Sequence, residues 1–70
     1  MAGKYGIIIW WSKEDNCYIA EVPELPGCMA DGETLAEVTR EIEESIKLWI
    51  EVNTERGFPI PEPKGRLIYA

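Results

Sequence analysis

Chemistry in this chain would have to come from carboxylates and two thiols. The sequence holds thirteen Asp and Glu, seven Lys and Arg, and no histidine, so the usual general base near neutral pH is missing. Cleavage of a phosphodiester through bound magnesium needs several carboxylates converging from strand ends. Glu21, Glu24 and Asp31 have no spacing that brings them together, and the apolar run Tyr5–Trp11 contains no acid. Cys17 and Cys28 stand eleven positions apart without paired CxxC spacing, which argues against zinc. A disulfide between them requires their strands to lie side by side. With no signal peptide, both are expected to be free thiols, and neither has the cationic setting that makes a thiolate. The chain is therefore expected to be a non-enzyme with no metal and no cofactor.

Charge and length direct attention to binding. A net charge of −6 opposes contact with a phosphate backbone, so no direct nucleic-acid binding is expected, and an acidic surface suits a basic protein partner instead. No apolar run approaches the roughly 20 residues that span a bilayer, and the N-terminus lacks a signal-peptide core; a cytoplasmic protein with no membrane contact is expected. Seventy residues make one domain, residues 1–70, that buries only about 60% of its unfolded surface. Chains this small lean on disulfides, metals or partners. With the first two disfavoured, a homodimer or homotetramer is expected.

The elements that must position these residues follow from pattern. Tyr5–Trp11 (YGIIIWW) is apolar, β-branched and aromatic, and too short for a typical helix, so it predicts strand one. Ser12–Asn16 is turn chemistry of hairpin length, and Cys17–Val22 predicts an antiparallel strand two. Pro23-Glu24-Leu25-Pro26-Gly27 cannot continue a central strand and predicts a rigid loop. Cys28–Ala30 predicts a short third strand, ended by Asp31-Gly32. Thr34 and Glu37 have the form of a capping box, opening a helix that runs to Arg56. Leu35, Val38, Ile42, Ile46, Trp49 and Ile50 fall on one stripe, with Glu37, Glu41, Glu44, Glu51 and Glu55 opposite. Gly57 and Pro59 close the helix. Phe58–Pro63 predicts a polyproline-like strap, and Gly65–Tyr69 a last edge strand. The fold expected is α+β: a three- to four-stranded, mainly antiparallel sheet with one long helix on one face, in the order β-β-β-α-β.

Alternation along the strands decides which side chains the helix covers. The glutamate at position 21 marks the Cys17–Ile19–Glu21 row as outward, so Tyr18, Ala20 and Val22 are expected under the helix, together with Ile8 and Trp10. Trp10 and Trp49 are then core aromatics. Ile7, Ile9, Trp11 and Ile19 are left on a face without a helix, a patch that a monomer rarely exposes. They are the expected oligomer interface, unless the proline-rich strap folds over them.

Two motifs carry a family resemblance. Pro23-Glu24-Leu25-Pro26-Gly27-Cys28 ends a strand, and Gly32-Glu33-Thr34-Leu35-Ala36-Glu37 opens a helix after a short strand. At this spacing they resemble the HicB antitoxin family, with Tyr18-Ile19-Ala20 before them, and Leu48–Glu51 and the Ile60–Pro63 strap also similar. The resemblance covers nearly the whole chain. It implies a partial RNase H-like fold without nuclease activity and, as partner, a small basic RNA-cleaving toxin of the HicA type. Many members also carry a C-terminal DNA-binding segment; here the sequence stops at Ala70, and no such domain is expected.

The motif residues Pro23, Glu24, Leu25, Pro26, Gly27, Cys28, Gly32, Thr34 and Glu37 read physically as architecture: a tight strand exit and a helix cap. The acidic helix face reads as either a solvated face or a docking surface. Leu48, ringed by Glu41, Glu44, Glu51 and Glu55, is a reasonable anchor for a cationic toxin, and Glu37 extends the same candidate docking row. An alternative to the antitoxin role is a homo-oligomeric interaction module without a toxin partner.

Overall fold

The computed structural model describes residues 5–62. Strand β1 (Ile8–Ser12) pairs antiparallel with β2 (Cys17–Glu21), which pairs antiparallel with β3 (Met29–Gly32). Helix α1 (Leu35–Glu55) follows and packs across β2 and β3. This is the expected α+β arrangement, with sheet order β1-β2-β3. The expected strand over Gly65–Tyr69, and Pro63 of the strap, lie outside the described residues.

Each connection has a local cause. The hairpin from β1 to β2 closes with Ser12 opposite Cys17, leaving residues 13–16 as its loop. Within it the Asp15 amide donates to Ser12 Oγ at 3.2 Å, and Asn16 takes φ +54°, a left-handed angle that asparagine tolerates. The PELPGC segment is two successive β-turns. The Leu25 amide donates to Val22 O at 3.0 Å and the Cys28 amide to Leu25 O at 2.9 Å, while the Val22 amide reaches Cys28 O at 3.0 Å and closes the pair. Proline holds the second position of both turns, where its fixed φ is already correct. Gly27, third in the second turn, has φ +82°, the positive angle that a type II turn requires. Leu25 between the turns is fully buried, so the loop is pinned by backbone and core alike.

Helix α1 starts where Thr34 Oγ1 accepts the Glu37 amide at 3.1 Å, the Thr34 half of the capping box. It ends in a Schellman motif: the Phe58 amide donates to Asn53 O at 2.9 Å and the Gly57 amide to Thr54 O at 3.1 Å, with Gly57 at φ +76°. Both satisfy carbonyls that a helix end otherwise leaves open. Gly32 has a different reason to be glycine. A Cβ there would stand 2.6 Å from the Val38 nitrogen and 2.9 Å from its Cα, so the first turn of α1 rests directly on the β3 backbone.

The core is Ala20 and Val22 from the sheet, Leu25 and Cys28 from the loop, Val38, Ile42 and Ile46 from α1, and Tyr5 ahead of β1. Trp49 and Ile50 pack against its rim, as the helical stripe predicts, but Leu35 at the first turn is 55% exposed. Tyr5 donates its hydroxyl to Pro61 O, which ties the strap to the start of the sheet on the core side. Burial, with the negative charge of Glu24 and Glu62 added, pushes the Tyr5 phenol above its ordinary pKa.

Two expectations are corrected. Strand-one parity is reversed: Ile9 stands opposite Ala20 and Trp11 opposite Tyr18, and directly opposed residues share a face. Ile7 and Ile9 therefore pack on the core, and Trp11 stacks edge-to-face on Tyr18 at 4.9 Å between ring centroids. Trp11 is 45% exposed; among the described residues α1 packs over β2 and β3 and not over β1. The face without a helix carries Ile8 and Trp10, with Ile19 as expected; Trp10 is 38% exposed and is not a core aromatic. Secondly, Asp31-Gly32 does not end the third strand but forms its last two residues.

Candidate partner-binding surface

Two parts of the surface are candidates for contact with a partner, and both involve α1. The first is a ridge. Glu37, Glu41, Glu44, Leu48, Glu51 and Glu55 recur at intervals of four and three residues, which places them on one side of the helix. All but Glu37 are exposed, Leu48 to 60%. The structure thus brings together the acidic row read from the sequence, with Leu48 near its middle. A shallow groove along it is lined by Glu41, Glu44, Lys47, Leu48 and Glu51 with Ser45.

The second part was not anticipated. Between the loop and α1 runs a slot lined by Gly27, Cys28, Met29, Ser45, Leu48, Trp49, Val52 and Asn53. Its walls are set by two hydrogen bonds that cross from helix to loop and strand. Trp49 Nε1–H donates to Pro26 O at 2.9 Å, and Ser45 Oγ–H donates to Met29 O at 3.3 Å. The first holds the indole against the PELPG loop; the second satisfies a carbonyl at the free side of β3, an edge strand among the described residues. The register puts Met29 opposite Glu21, on the open sheet face, so the apolar surface the slot offers comes from Leu48, with half-buried Trp49 and Val52 beside it. No periodicity in the sequence marks it, because its two sides are separated by sixteen or more residues.

The motif residues are where architecture needs them. Pro23, Leu25, Pro26, Gly27 and Cys28 make the double turn, Glu24 Oε1 accepts the Gly6 amide at 3.2 Å, and Gly32, Thr34 and Glu37 seat the start of α1. Cys28 is buried, and burial pushes its thiol above its ordinary pKa, which disfavours the nucleophilic thiolate. Cys17 and Cys28 are free. Cys17 pairs with Ser12 at one end of β2, whereas Cys28 meets Val22 beyond the other, so no bridge can join them.

The acids nearest the sheet do not converge. Glu21 and Asp31 share the open sheet face, but Glu24 turns to the Gly6 amide. Among the described residues no three Cys, Asp or Glu side chains form a group that could hold a metal. None of their helices is long and apolar enough to cross a membrane.

Comparison with known proteins agrees with this geometry. The UPF0150-like family model matches residues 9–61. A UPF0150 protein of Thermoplasma acidophilum is 40% identical over 65 residues, 93% of each chain. Another, from Archaeoglobus fulgidus, is 39% identical over 56 residues, 77% of this chain and 80% of its own. Among solved structures, a chain of a HicA3 and HicB3 toxin-antitoxin complex superposes with a TM-score of 0.71 at 32% identity, over 84% of this chain; this chain spans 66% of that one. The double-turn motif, the glycine-seated helix and the long acidic α1 all fall within the matched region, and the chain belongs to the UPF0150-like family.

Proposed function

We propose that this protein is an antitoxin-like binding module that captures and neutralises a small basic toxin of the HicA type, with no catalysis of its own. The likeness to a chain of the HicA3 and HicB3 complex over 84% of the sequence carries the reading. The PELPGC and GETLAE motifs at HicB-like spacing support it. The ridge supplies a mechanism. A toxin that cleaves RNA needs cationic side chains to hold phosphate, and a row of carboxylates offers those side chains a competing partner. Steering by opposite charge speeds the encounter, while contact at Leu48 slows escape. Co-expression with a HicA-type toxin tests the reading. Growth rescue with co-purification of both proteins is expected; persistent growth arrest beside a folded protein that captures no toxin would contradict it.

A second reading rests on the open sheet face. Among the described residues no helix covers Ile8, Trp10 and Ile19, and such a face in a small domain is well suited to a second copy, as homodimer or homotetramer. The same module could then serve a partner other than a toxin. Light scattering of the wild type against Trp10→Glu tests this: a multimer reduced to monomer mass is expected, and a wild type of monomer mass would exclude it.

A further inference from the structure

The slot and the ridge are not separate features, because Ser45 and Leu48 line both. We infer that they form one bipartite site for a basic amphipathic helix of a partner protein, with an apolar side chain in the slot and cations along the ridge. The inference rests on the reading of the protein as a binding module for a basic partner, and names where that partner seats.

Three observations select this occupant. Leu48 is 60% exposed where slot and ridge meet, with half-buried Trp49 and Val52 beside it, and a large apolar side chain presented in a concave surface is an anchor position. Charge decides what surrounds the anchor: Glu41, Glu44 and Glu51 border Leu48, so a neutral or acidic partner would bury carboxylates without compensation. Length decides the form. The acidic row runs from Glu37 to Glu55, about 27 Å at 1.5 Å per residue, and its spacing of three and four repeats along that distance. A partner helix laid alongside presents cations at the same spacing, whereas a compact contact reaches only one or two of them. The slot itself is held open by the Trp49–Pro26 and Ser45–Met29 hydrogen bonds, so binding needs little rearrangement of this protein.

The test uses the full chain and a synthetic helical peptide with leucines on one face and lysines on the other, followed by amide and indole NMR shifts. An equivalent leucine–glutamate peptide is the control. The lysine peptide is expected to shift Met29, Leu48, Val52 and the Trp49 indole N–H, and the glutamate peptide to shift none of them. Leu48→Glu separates anchoring from plain attraction, since it adds a negative charge while removing the anchor. Anchoring predicts at least tenfold weaker binding; attraction alone predicts tighter binding and would overturn the inference. Shifts confined to Ile8, Trp10 and Ile19 would overturn it too. The two proposals fail separately. Toxin rescue that survives Leu48→Glu sinks this site and leaves the antitoxin reading. Peptide binding in the slot without toxin rescue does the reverse.

Discussion

The two sides of α1 carry rows at helical spacing with opposite fates. Val38, Ile42 and Ile46 are fully buried beneath the helix. Glu41, Glu44, Leu48, Glu51 and Glu55 stand in solvent on the far side. The buried row stands at intervals of four and the exposed row at three and four, both of them helical-face spacings, so it is their chemistry that distinguishes them. The buried row is anchored by what it touches, namely Ala20, Val22 and Leu25. On the proposed function, one helix keeps stability on one side and recognition on the other, so that each row should be alterable without the other.

The largest expected effect comes from the buried row. Ile46→Ala removes a fully buried side chain and should destabilise by about 2–5 kcal/mol, much of the stability of so small a domain. A denaturant midpoint that does not move would break the comparison at once. Next is Gly32→Ala, where the new Cβ meets the Val38 backbone at 2.6 Å. Backbone cannot yield as a flexible side chain can, and a loss of about 1–3 kcal/mol is expected, read by thermal or urea unfolding. Gly27→Ala is milder. Its Cβ would meet nothing within 4 Å, but φ is +82°, and the left-handed conformation should cost about 1–2 kcal/mol.

A smaller effect is expected at alkaline pH. Tyr5 is buried and its phenol pKa lies above the ordinary value, so folding favours the neutral form. The stabilisation is fully present below the unfolded pKa of about 10 and is lost as pH rises through the folded pKa. Tyr5→Phe should therefore remove part of the alkaline loss of stability seen in pH-dependent unfolding; identical alkaline slopes would contradict the assignment. Smallest of all is Leu48→Ala, which should change stability by no more than about 0.5 kcal/mol because the side chain is 60% exposed.

What was legible in the sequence differs between these regions for physical reasons. The helix could be read end to end. Its cap is Thr34, its stop is Gly57, and its buried row stands at regular spacing, so each local signal agreed with the fold. The PELPGC turns were legible for the same reason, since proline and glycine restrict the backbone wherever they stand. Strand β1 was not. Ile7 to Trp11 are all apolar, so alternation is absent and nothing local says which side faces inward. The answer lies in the hairpin register, Ile9 against Ala20, and a shift by one residue exchanges the faces. Asp31-Gly32 misled by composition: it looks like a turn, yet Gly32 remains in the strand because the first turn of α1 needs a residue without a side chain there. Leu35 shows the limit of the helical stripe, since it lies on the stripe and is still 55% exposed. The acidic ridge was visible as a spacing. The slot beside it was not, because it exists only once Met29 and Ser45 are brought together by the fold.

The separation of the two rows is tested most directly by one variant measured two ways. Glu41→Lys, Glu44→Lys and Glu51→Lys combined reverses the ridge around Leu48 without touching Val38, Ile42 or Ile46. The account predicts an unfolding midpoint close to the wild type, together with loss of toxin capture by calorimetric titration. Toxin bound as tightly as by the wild type would contradict the ridge as the recognition surface. A collapsed midpoint would contradict the claim that stability and recognition occupy different sides of α1.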